Sequence, residues 1–156
     1  MAEALPLSES ELRILESLVR HEVKFMIVGL SAAALQGAPV VTQDVELWFE
    51  NLNDPRLIPA LREVGAAYVP PMSLNPPMLA GPHSEPFDIV IAMTGLGSFS
   101  DESKSSLTIA LGNIKVAVLP LERIIVNKIA TDRPKDRLVV PVLENALRAN
   151  RATEGN

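Results

Sequence analysis

There is no cysteine in this chain of 156 residues, and histidine, tryptophan and tyrosine number only two, one and one. Without thiols there is no disulfide framework and no thiolate metal site. His21 and His83 alone argue against a zinc centre built on imidazoles. Long apolar runs are also missing, none approaching the roughly 20 residues of a membrane-crossing helix. The opening stretch MAEALPLSESEL has neither a basic start nor the apolar segment of a secretion signal. The cytoplasm is therefore the expected compartment, with no membrane partner. What remains is ordinary globular composition, 47% hydrophobic and 21% charged. A chain of this length suits one domain, residues 1–156, that buries about two-thirds of its unfolded surface.

Positive charge is scarce until late in the chain. Residues 1–114 carry 6 Lys/Arg against 14 Asp/Glu, whereas residues 115–156 carry 8 against 5. A net charge of −5 is not that of a protein built to grip long duplex nucleic acid. The acidic part suits metal ligands, and the basic tail suits phosphates.

The stretch 25–49, FMIVGLSAAALQGAPVVTQDVELWF, organises the rest. Phe25–Val28 reads as a strand, 31–36 as a short helix, and Val45–Phe49 as a second strand. Residues two apart on a strand share a face, roughly 6.5–7 Å between Cα atoms. Asp44, Glu46 and Trp48 thus point one way, and Val45, Leu47 and Phe49 the other. Two carboxylates on one face of an apolar strand are costly to bury unless they hold a cation or find donors. Gly29 closes the first strand and opens the helix, so free N–H groups at the helix start face whatever lies beyond, an arrangement that favours phosphate. Paired hard oxygen ligands beside a phosphate cradle suit Mg²⁺.

These residues resemble the nucleotidyltransferase superfamily of the DNA-polymerase-β type. Its pattern is a hydrophobic residue, Gly, Gly or Ser, a spacer, and then Asp-hydrophobic-Asp/Glu-hydrophobic. Val28-Gly29-Leu30 is followed by residues 31–43 and then Asp44-Val45-Glu46-Leu47. Small bacterial nucleotidyltransferase-like proteins, some from toxin–antitoxin systems, are the most similar subgroup. Leu30 stands where the family has a small residue, and Gln36 where the subgroup usually has His.

Elsewhere the pattern is plainer. Ser8 and Glu11 have capping-box spacing ahead of an apolar stripe of Leu12, Leu15, Leu18 and Val19. Asp54-Pro55 predicts a helix with Asp as N-cap, running to about Val64. Six prolines between Tyr68 and Pro86 exclude a central strand or regular helix there, leaving a long loop that either borders the site or is a solvent excursion. Phe87–Ala92 reads as a strand with Asp88 as its only charge. Residues 95–106 read as a flexible polar connector. Leu107–Leu111 and Ile114–Leu119 are joined by Gly112-Asn113, a two-residue hairpin signal. Pro120 opens a helix whose apolar face is Leu121, Ile124, Ile125 and Ile129, with Lys128 either flanking that face or snorkelling at the surface. Residues 120–149 make a helical C-terminal part that Pro141 either starts or kinks. The tail RATEGN is expected to fray.

The resemblance implies an α/β (α+β) nucleotidyltransferase-like fold, a short mixed β-sheet with helices mainly on one face. It implies Asp44, Glu46 and Asp88 as catalytic carboxylates holding two Mg²⁺ ions, with Asp88 in the family's hydrophobic-Asp-hydrophobic position. Gly29 and Ser31 would hold the phosphates of a nucleoside triphosphate, with Ser31's hydroxyl standing in for what Leu30 cannot give. Lys128 and Arg133 are similar to the family's basic groups in a segment ending R-x-K-D. The implied reaction is transfer of a nucleoside monophosphate from the triphosphate to an acceptor hydroxyl of unspecified kind. The alternative is a catalytically degenerate module that binds a nucleotide or a protein partner.

Overall fold

Thirteen elements follow one another along the described residues. The computed structural model describes residues 7–154. The elements are α1 (Glu9–Arg20), β1 (Phe25–Val28), α2 (Gly29–Leu35), β2 (Val45–Phe49), α3 (Leu57–Glu63), β3 (Ala67–Val69), β4 (Met78–Ala80), β5 (Phe87–Val90), α4 (Phe99–Ser103), β6 (Leu107–Leu111), β7 (Ile114–Val118), α5 (Leu121–Thr131) and α6 (Pro134–Glu154). Ser8 and Glu11 cap α1 reciprocally, satisfying two orphan N–H groups at its start.

Five strands form a mixed sheet in the order β5-β2-β1-β7-β6. β1 runs antiparallel to β2 and parallel to β7, β2 runs parallel to β5, and β6 and β7 form an antiparallel hairpin. All four residues of β1 are buried, so at its centre the sheet is covered on both faces. The core joins Leu15 and Leu18 of α1, Met26 and Ile27 of β1, Leu47 of β2, Leu57 and Leu61 of α3, and Leu121 and Ile124 of α5. Pro134 occupies the first position of α6, where its missing N–H costs nothing. Among the described residues, no helix is long and apolar enough to cross a membrane.

Several expectations shift. The proline-rich span holds a small antiparallel sheet, β3 with β4, whose tip is closed by a Met72–Asn75 bridge. The prolines flank this hairpin and leave its ladder intact. Residues 95–106 are not a loose connector. Ser98 caps α4, and Glu102, only 5% exposed, accepts from the Gly97 N–H at 2.8 Å and from Arg123 at 2.8 Å. α3 begins at Leu57, beyond the predicted cap. Asp54 instead accepts from the backbone N–H and guanidinium of Arg56, both at 2.9 Å, and organises the turn ahead of the helix. Ile129 is 56% exposed while Lys128 is buried, so the inward face of α5 passes through Lys128. Residues 151–154 continue α6 where fraying was expected, and Pro141 lies inside that helix.

Gln36 is the joint between α2 and α5. Its amide nitrogen donates to the Leu119 carbonyl at 2.8 Å and its oxygen accepts from the Leu121 N–H at 2.9 Å. Between these two lies Pro120, which has no N–H to offer. One amide therefore serves both sides of the β7–α5 turn. Gln36→Leu leaves both backbone groups without partners, and we expect a loss of about 1–3 kcal/mol in urea denaturation.

Candidate functional site

The strand register brings the candidate carboxylates together. Glu46 of β2 is paired with Asp88 of the parallel neighbour β5, so both project from one face of the sheet. Asp44 lies just ahead of β2, where Thr42 Oγ1 donates to the Asp44 carbonyl at 3.0 Å and accepts from its N–H at 3.3 Å. Across a cleft of about 350 Å³ stand Lys128 from the end of α5, Arg133 from the turn before α6, and Lys135 and Asp136 from the start of α6, with Leu30, Val90 and Val139 completing the lining. The larger cavity, about 540 Å³, is lined partly by Lys24, Phe25 and Met26 at the other end of β1 and contains none of the candidates.

Glu46 makes the least expected contact. Its carboxylate rests on the α-carbon of Gly29, so that a methyl group there would overlap it. Gly29 also has φ +65°, a left-handed conformation that side chains disfavour. Two separate constraints thus require glycine. The Glu46 carboxylate thereby fills the space beside Gly29 and the start of α2, where phosphate was expected, and the nearby Leu30 N–H favours its charged form. Burial pushes the Glu46 carboxyl above the usual range; the Lys128 charge and the Leu30 N–H oppose that, while Asp88 and Asp44 add to it. Asp88 is also raised, by desolvation first and by Asp44 second.

Ser31 is placed differently from its expected role. Its side chain is fully buried, donating to the Val28 carbonyl at 2.7 Å and accepting from the Glu46 N–H at 3.1 Å. The hydroxyl binds β1 to β2 at the turn. Leu30 is half-buried and lines the cleft.

Asp136, only 2% exposed, organises the basic wall. One of its oxygens accepts from Thr131 Oγ1 at 2.6 Å, Arg133 Nε at 2.8 Å and the Arg133 N–H at 3.1 Å. The other lies 3.8 Å from Lys128 Nζ. The Arg133 hydrogen bonds, with Thr131 and Lys128 assisting against burial, hold this carboxyl far below the carboxylate range. Sequence reasoning chose Lys128 and Arg133 but passed over Thr42, Lys135 and Asp136. The last two stand in the same R-x-K-D segment, and an acid at the third position of a proline-started helix was the available signal.

The donor set is all carboxylate oxygen, the chemistry that suits Mg²⁺. With Glu46 turned onto Gly29, no three such side chains among the described residues are gathered closely enough to hold a metal ion. The carboxylates share a cleft without forming a closed cage.

The opposite pKa displacements set the stability of metal-free protein against pH. Glu46 and Asp88, raised on folding, penalise the fold while charged, and that penalty is relieved as pH falls through their folded values. Asp136, lowered on folding, stabilises above its unfolded value of about 3.9 and loses that contribution as pH falls further. Stability should rise on mild acidification and then fall. Urea midpoints measured with chelator present should show the rise in wild type, a smaller rise in Glu46→Gln, and a loss of about 3 kcal/mol in Asp136→Asn, which leaves Lys128 buried and unpaired.

No protein-family model matches the chain, and no curated protein matches it by sequence. Solved structures do. ANT(2")-Ia in complex with adenylyl-2"-tobramycin superposes with a TM-score of 0.57 at 13% identity, covering 90% of this chain and 88% of that one. The lincosamide antibiotic adenylyltransferase LnuA, lincomycin-bound, gives 0.59 at 14% identity over 90% and 98%. The solution structure of the antibiotic-resistance factor ANT(2'')-Ia gives 0.53 at 14% identity over 92% and 90%. At such identities the likeness is one of architecture: this chain shares the fold of these solved structures.

Proposed function

We propose that this chain is a Mg²⁺-dependent nucleotidyltransferase that moves a nucleoside monophosphate from a nucleoside triphosphate to an acceptor hydroxyl. The observation that carries this reading is the register pairing of Glu46 with Asp88, beside Asp44, opposite Lys128, Arg133 and Lys135 across one cleft. A bond forms between the acceptor oxygen and the α-phosphorus, and the bond from that phosphorus to pyrophosphate breaks. Lys128 and Arg133 offset negative charge growing on the phosphates, held in place by Asp136. Asp88, whose basicity is raised by desolvation, takes the acceptor's proton. Asp44, Glu46 and Asp88 would hold Mg²⁺, which when bound supplies a Lewis acid and makes the acceptor hydroxyl easier to deprotonate. Glu46 must first leave Gly29, which opens the start of α2 to a phosphate oxygen. The structural neighbours carry tobramycin or lincomycin, so aminoglycosides and lincosamides are the first acceptors to try, ahead of RNA ends and protein hydroxyls.

One observation favours a second reading, a module that binds without catalysing. Leu30 lines the cleft and the Glu46 carboxylate lies against Gly29, so the phosphate seat is narrowed from both sides. In that reading the occupant is a nucleotide or a protein partner, as in toxin–antitoxin pairs.

Thermal denaturation with Mg²⁺ and each of the four nucleoside triphosphates reads binding, and pyrophosphate release in the presence of an acceptor separates the enzyme from a module that only binds. Catalysis predicts stabilisation that needs metal and nucleotide together, about 2.7 kcal/mol at a hundredfold excess over Kd, and its loss in Asp44→Asn. Leu30→Gly should then change nucleotide affinity by less than about tenfold, ~1.4 kcal/mol. A wild type that ignores nucleotide, with binding appearing only in Leu30→Gly, would sink the enzyme and leave the module.

A further inference from the structure

We propose that this chain forms a two-fold symmetric dimer by pairing strand β6 edge to edge with the same strand of a second copy. The two edges of the sheet are built differently. Terminal strands present unpaired N–H and C=O groups, and folded proteins guard them with charge, proline or cover. β5 has such guards, Pro86 directly before it and Asp88 within it. β6, LTIAL, has neither charge nor proline, and among the described residues it pairs only with β7. Leu107 is 42% exposed, and Thr108 and Ala110 are exposed as well.

The hairpin decides which groups are free. Leu111 and Ile114 close a two-residue turn in which Gly112 has φ +58°. In such a hairpin the closing pair exchanges hydrogen bonds, and bonding alternates along the ladder. Leu107, Ile109 and Leu111 therefore direct their backbone groups towards β7. Thr108 and Ala110 direct theirs outward. A two-fold axis through Ile109 sets Thr108 against Ala110 of the second copy and Ala110 against its Thr108, so both free donors and both free acceptors are matched in each chain. Leu107 then meets the second copy's Leu111, and no charged residue opposes another.

The surroundings fit the same occupant. Leu107 and Ile109 border a groove of about 300 Å³ whose floor includes Leu35, Leu121 and Leu147, so the partner's apolar row extends the cover over it. On the nearby end of α6, Arg151 is committed to Glu122 at 3.1 Å. Arg148 and Glu154 have no ion-pair partner among the described residues, a cation and an anion that a two-fold operation can join crosswise. Pairing through β6 joins two five-stranded sheets into one of ten strands, with β5 and the cleft at its two far ends. The interface is therefore independent of the cleft and of the reaction proposed for it.

Sedimentation equilibrium of the full chain tests the dimer. Wild type should reach twice the chain mass at micromolar concentration. Thr108→Lys and Ala110→Lys, each placing like charges near the axis, should raise the dimer dissociation constant about tenfold or more, with unchanged circular dichroism. Amide exchange supplies a readout that a folding defect would not mimic: the Thr108 and Ala110 amides should be protected in concentrated wild type and exchange on dilution, while the rest of the sheet stays protected. A wild type monomeric at hundreds of micromolar, including one whose β6 is covered by some other strand, overturns the proposal. So does a dimer that survives both lysine substitutions.

Discussion

A carboxylate lying on the bare α-carbon of a glycine sets the geometry of this cleft. Glu46 can reach Gly29 because β1 and β2 are antiparallel neighbours in which Val28 pairs with Glu46. Ser31 locks that register by bridging the last carbonyl of β1 to the Glu46 N–H. The turn, the register and the direction of α2 are thus consequences of one close approach. A β-carbon at position 29 would separate the strands or expel the carboxylate. The desolvated acid faces the charge of Lys128, which opposes the effect of its burial.

Around that contact the cleft is a balance of opposed charge. Its acidic side comes from the first two-thirds of the chain and its basic side from the last third, so the uneven charge along the sequence is a spatial division across one gap. Asp136 belongs to the acids by chemistry and to the bases by position. It fixes a cluster of donors that would otherwise repel one another, and it does so from the first turn of α6, where the helix dipole favours a negative group. Lys128 could not be buried on the inward face of α5 without it.

Much of this was legible in the residues. The acidic strand, the Gly112-Asn113 hairpin, the capped first helix and the register-compatible position of Asp88 all rest on local rules, and local rules survived folding. Where the reading failed, the deciding partner lay far along the chain. Ser31 looks like a phosphate ligand until Glu46, fifteen residues on, claims its hydroxyl. Residues 95–106 look loose because Arg123 is needed to anchor Glu102. Ile129 and Lys128 differ by a single helical step, about 100° of rotation, and a buried ion pair chose the lysine. The hairpin of β3 and β4 was hidden for another reason: prolines exclude a strand only where an N–H must be donated, and here they stand outside the paired residues.

The glutamine joint has a consequence for how the cleft behaves as acidity changes. A carboxamide presents donor and acceptor together and carries no proton to lose or gain. An imidazole in the same seat would offer both functions only in one neutral tautomer, and on protonation would turn its acceptor into a second donor facing the Leu121 N–H. The attachment of α5 to α2 would then loosen as the imidazole took up its proton. With Gln36 the scaffold behind Lys128 is proton-blind, and acidity reaches the cleft only through the groups that line it.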